Sequence, residues 1–160
     1  MYFFNLKKLE NDLIIDNIKD DEAFKYFYAL MILSLIPTYF VFNDHNEILS
    51  SFFEGVLCIV ISIIGIKKTF KLNKLGDGKN YFTRFFSLSF VATFKLIPYS
   101  FIMIIPLIIN EAFFDKNYIF DLIMNVAFGV IFSFLYYLII CKSIKRISYQ
   151  ALMNERINNL

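Results

Sequence analysis

The stretch Thr83–Pro106, TRFFSLSFVATFKLIPYSFIMIIP, constrains this chain more than any other. It is apolar for long enough to cross a bilayer, yet it carries Lys95 near its middle and Pro98 three residues later. With Arg84 read as a surface residue, a rise of about 1.5 Å per residue sets Lys95 roughly 16 Å deep, near the centre of a ~30 Å hydrocarbon core. An ammonium group at that depth costs at least ~2.5–3.5 kcal/mol, so Lys95 is expected to face protein or water rather than lipid.

Three further apolar runs accompany it. Spans at about 23–42, 48–66, 83–106 and 119–141 predict an all-α fold: a four-transmembrane-helix bundle with N- and C-terminal amphipathic surface helices, residues 1–160 forming a single integral membrane domain. Composition agrees. The chain is 58% hydrophobic with a mean hydropathy of +0.59, against about 45–50% apolar residues in soluble domains. No short apolar run followed by a small-residue cleavage site opens the chain, so insertion through its own helices is expected. Cys58 and Cys141 lie in different apolar runs without a CxxC, and both read as buried small hydrophobes.

The ends are amphipathic. In MYFFNLKKLENDLIIDNIKDDE, Phe3, Leu6, Leu9, Leu13 and Ile18 fall on one stripe, with Lys7, Lys8, Asp12 and Asp16 elsewhere. Such a helix lies on a membrane surface or packs on its own bundle, and both readings stand at this point. Asp20-Asp21-Glu22 reads as a solvated helix start. The basic tail Lys142–Leu160 suggests a second short amphipathic helix through Ile144, Ile147, Ala151 and Leu152.

Between these runs lie loops and helix irregularities. Pro37, Pro98 and Pro106 are candidate kinks, and Pro98 deprives the Phe94 carbonyl of its helical donor, one residue from Lys95. Tyr26, Tyr28 and Tyr39 sit where an aromatic belt would be. Ser89, Ala92 and Thr93, and the Gly129–Ser133 pair, offer small faces for close helix contact. The lone histidine, His45, sits in a polar loop beside Asp44 and Glu47, without the second histidine or cysteine a metal site needs. Gly76-Asp77-Gly78 predicts a tight turn in the loop Lys67–Arg84. The string GDGK lacks the full GxxxxGK[ST] phosphate loop and its strand–loop–helix setting.

Basic residues alternate with the spans. Lys7, Lys8, Lys19 and Lys25 precede the first, and no Lys or Arg lies in the first loop. Lys67, Lys68, Lys71, Lys74, Lys79 and Arg84 fill the second loop, Lys116 stands alone in the third, and Lys142, Lys145, Arg146 and Arg156 follow the last span. By the positive-inside rule both termini and the second loop are expected in the cytoplasm. These basic rims suit anionic lipid headgroups rather than nucleic acid.

In that topology Glu54, Asp121 and Asn125 fall in the outer half of the membrane, within the direction Lys95 can extend. Glu54 is the expected ion-pair partner of Lys95, because a buried charge without its partner costs about 3–5 kcal/mol. The pair either fixes helix order or forms a polar path for a proton, ion or small solute. No catalytic residue set, metal or cofactor is expected. One loop histidine cannot ligate a haem from both sides, reactive cysteine pairs for a disulfide oxidase are missing, and no nucleophile–base constellation stands out. A small multidrug antiporter also has four short helices, but its essential glutamate lies in the first, where this chain has none.

The segment GDGKNYFTRFFSLSF, a basic turn entering a span through Arg-Phe and a serine–leucine step, resembles segments of small bacterial inner-membrane proteins with four predicted spans. That resemblance implies a localisation and no activity. The expected function is a non-enzymatic accessory, assembly or immunity-type subunit, with membrane lipids and a membrane-protein partner or further copies as its contacts. The alternative is a small oligomeric transporter or channel subunit built on Lys95 and Glu54.

Overall fold

Local chemistry decides where the first helix starts and stops. The Asn5 side chain accepts a hydrogen bond from the Lys8 backbone N–H at 3.1 Å, capping α1 (Leu6–Ile14). Asp16, at φ +54°, turns the chain out of the helix, a conformation that short polar side chains tolerate. A computed structural model, describing residues 2–40, 48–113 and 118–158, continues with α2 (Asp20–Phe40), α3 (Ile48–Leu75), α4 (Tyr81–Phe113) and α5 (Tyr118–Asn158). Among the described residues the fold is all-helical.

Two of these helices run much further than the apolar spans read from sequence. α3 has 28 residues and α5 has 41, so they extend roughly 42 Å and 62 Å. The segment expected as a long loop is helical to Leu75, leaving a turn of residues 76–80. The basic tail is an unbroken continuation of α5 rather than a separate surface helix. The reason is amphipathicity at helical spacing. Thr69 and Asn73 on α3, and Ile140, Ile144, Ile147 and Ala151 on α5, are buried, while Lys67, Lys68, Lys71, Lys142 and Lys145 face outward. α4 runs helical through Pro98 and Pro106, and α2 through Pro37; the side chains of Pro37 and Pro106 lie outside the described residues.

Packing follows small residues. A Cβ on Gly65 would meet the Tyr137 ring at 2.3 Å, and one on Gly76 would meet Ser148 at 2.5 Å. Eleven residues separate the members of each pair on both helices, about three turns, so one stripe of α3 lies on one stripe of α5 and the two run parallel. Ser133 Oγ approaches Cys58 Sγ at 3.6 Å further along the same seam. α4 packs on the other side of α5, and α2 on the far side of α4, where Phe27 meets Phe86 with ring centroids 4.8 Å apart. Among the described residues α2 and α3 do not pack together. Among the described residues the four long helices therefore lie in a row, α3–α5–α4–α2.

Among the described residues, burial is concentrated at the end holding the α3–α4 turn, called the basal pole here. Leu9 and Leu13 of α1 pack with Leu88 and Val91 of α4 and with Ile140, Ile144 and Ile147 of α5. So α1 covers its own protein, the second of the two readings of its stripe. Toward the other end, Ile59, Ile64, Phe101, Ile102, Ile123 and Phe134 are exposed. Among the described residues, two helices contain stretches long and apolar enough to cross a membrane, Tyr81–Ile102 and Val126–Asn158, of the four that the sequence suggested.

Candidate functional site

Of the polar groups singled out from sequence, Lys95 alone has a described side chain, and the expected Lys95–Glu54 pairing lies outside the described residues. Lys95 is exposed on α4 and forms no ion pair with another described side chain. Glu54, Asp121 and Asn125 are helical, with side chains outside the described residues. Nor does Arg84 mark a water-facing surface, because it is buried. Register along the helices gives another reference. Leu96 and Leu135 line one groove, Tyr137 packs on Gly65, and Lys67 and Lys68 follow within a turn. Lys95 thus lies roughly one to two turns beyond the exposed lysines of α3, about 5–10 Å along the helix.

Among the described residues, the densest polar contacts are at the basal pole. Asp77, in the turn, and Arg84, in the first turn of α4, form a bidentate ion pair with Nη–Oδ distances of 2.5 and 2.6 Å. Their side chains are 2% and 3% exposed, so this is a core ion pair and not a surface one. Arg84 Nη1 also donates to Asn73 Oδ1 at 2.9 Å, and Asn73 Nδ2 donates to the Lys79 carbonyl at 3.2 Å. The Gly76 and Gly78 N–H groups return to the Asn73 carbonyl, closing the end of α3, with Gly78 at φ +70°. Asp77 N–H donates to the Ser148 carbonyl, and Ser148 Oγ donates to the Leu72 carbonyl, stitching the turn to α5. Gly76 is required because Ser148 occupies the place of its Cβ.

Outer contacts surround this knot. Lys79 Nζ pairs with Glu155 Oε1 at 2.5 Å, which holds the lysine above its usual pKa, and Asn80 Nδ2 donates to Asp16 Oδ1 at 2.7 Å. Arg146 Nη1 pairs with the buried Glu10 at 2.9 Å, tying α5 to α1. Tyr2 donates its backbone N–H to Tyr26 Oη at 2.6 Å and its hydroxyl to Asp12 Oδ2 at 2.5 Å. The hydrogen bond to Asp12, with burial and the carboxylate's charge behind it, pushes the Tyr2 phenol up to about 12. A cleft of about 370 Å³ lies where the turn, the end of α1 and the end of α5 meet, with Asp16, Lys79, Asn154 and Glu155 on its walls.

Chemically, the knot organises charge and has no group poised to react. Both Asp77 oxygens and both Arg84 terminal nitrogens are engaged with protein. Sequence reasoning missed it because Asp77 reads as a turn residue and Arg84 as an interfacial cation. The one available signal is positional: Gly65, Thr69 and Asn73 recur on one stripe of α3, with Gly76 just past its end, and a polar stripe continuing a helix needs partners. No family model, curated protein or solved structure matches this chain.

Proposed function

We propose that this chain is a non-enzymatic integral membrane protein that acts as an accessory, assembly or immunity-type subunit by recognising another membrane protein. In this reading four helices cross a bacterial inner membrane, and the basal pole with both termini lies in the cytoplasm. The observation that carries it is the row of helices, open among the described residues, with apolar outer faces. Only 39% and 28% of the best apolar windows of α4 and α5 are buried, whereas a core helix of a soluble protein is mostly covered. Hydrocarbon solvates such faces, and an unclosed row leaves helix edges for a partner.

Purification of a tagged copy from its host in mild detergent, with mass determination and identification of co-eluting chains, tests the proposal. A stoichiometric membrane-embedded partner is the expected result, and a homo-oligomer without one overturns it in favour of the transporter or channel. For that rival, Lys95→Met combined with Glu54→Leu leaves a stable protein without flux. If the pair is structural, the double change restores stability that either single change lowers. Lys95 lies on the outer surface of α4, which favours the interaction reading.

A further inference from the structure

We propose that the groove between α4 and α5 seats an acyl chain of an anionic phospholipid from the leaflet nearer the basal pole, with its phosphate paired to Lys95. This rests on the membrane reading above. The groove is lined by Leu96, Tyr99 and Ile102 from α4 and by Phe128, Ile131 and Leu135 among the α5 residues, almost entirely apolar atoms, and holds about 140 Å³. Tyr99, Ile102, Ile131 and Leu135 are also exposed, so the groove opens on the outer surface and suits a flexible chain.

Its polarity has a direction. Lys95 immediately precedes Leu96 and lies one turn before Tyr99, so its position on α4 is at the basal end of the groove. Helical side chains lean toward the helix N-terminus, which in α4 is the basal pole, where Lys67, Lys68 and Lys142 are exposed. A lipid of that leaflet carries its phosphate at the basal end and its chains away from it, the same order as lysine and groove. Charge also argues against a second copy on this face, because a two-fold contact centred here brings Lys95 toward its own counterpart.

Native mass spectrometry of the full chain released from detergent, with phosphatidylglycerol or phosphatidylcholine of identical chains, tests the site. Wild type should retain one phosphatidylglycerol about fivefold over phosphatidylcholine, the factor corresponding to about 1 kcal/mol per basic residue near the membrane surface. Lys95→Gln should bring the two lipids to parity. Leu135→Trp, filling the groove from an exposed position, should lower retention of both while helicity and monodispersity stay as in wild type. Inorganic phosphate should not compete, because the chain contributes to binding. Parity in wild type, an unchanged preference in Lys95→Gln, or a co-purifying polypeptide in place of lipid overturns the site. A protein that stays in the membrane pellet through alkaline carbonate washing and shows parity defeats only the lipid site. Release by carbonate defeats the membrane reading with it.

Discussion

Asp77 and Arg84 hold each other in a place where neither tolerates being alone. Replacing Arg84 with Met leaves a buried carboxylate, and a loss of about 3–5 kcal/mol is expected in thermal melts followed by circular dichroism. Adding Asp77→Leu should recover most of that loss. Arg84→Lys should not, because an ammonium lacks the planar fork that reaches both Asp77 oxygens and Asn73 together. Two glycines of α3 predict opposite signs. Gly65→Ala drives a methyl into the Tyr137 ring and should lower the melting temperature. Gly55→Ala meets nothing within 4 Å, so it should raise the melting temperature through a helix propensity gain of up to about 1 kcal/mol. None of these roles is visible in the isolated residues. The partner of Arg84 depends on how the α3–α4 hairpin closes.

α1 shows what periodicity reveals and where it stops. The stripe through Leu6, Leu9 and Leu13 was legible as an amphipathic helix, but a membrane surface and a protein surface look alike to such a stripe. The structure buries Leu9 completely, so Leu9→Ala should cost about 2–5 kcal/mol. A helix resting on lipid would barely register that change. The anchor before α1 predicts a pH response. The Tyr2 phenol is raised from 10.0 to about 12 chiefly by its bond to Asp12, so the protonated form is the one folding favours. Its stabilising contribution is whole below pH 10 and fades as pH rises through about 12. The stability difference between wild type and Tyr2→Phe should vanish over that window, along with one tyrosine ionisation near its upper end. Helix length was less legible. Lysines at the ends of the apolar runs resemble loop residues until Asn73 and Ser148 are seen facing inward.

For the whole molecule, chain direction and charge meet in one arrangement. α3 and α5 run parallel, and their exposed lysines gather at the pole that holds the α3–α4 turn. Under the proposed topology, with Cys58 and Cys141 replaced, His45→Cys should react with an impermeant maleimide on intact cells. Gly78→Cys and Asn158→Cys should react only after permeabilisation. Equal labelling of all three would reject the alternation of basic loops as a guide to orientation.

By itself the sequence determined the helical class, the apolar stripes and the uneven distribution of positive charge, because each depends on neighbours within a few turns of one chain segment. Only the tertiary structure decided that α5 sits between α3 and α4, that α1 faces protein, and that Asp77, Arg84, Asn73 and Ser148 share a site. Apolar helix faces are chemically alike, so nothing local distinguishes one partner from another. Close approach at Gly65 and Gly76, together with the hydrogen bonds that join Asn73, Asp77, Arg84 and Ser148, makes that choice in three dimensions.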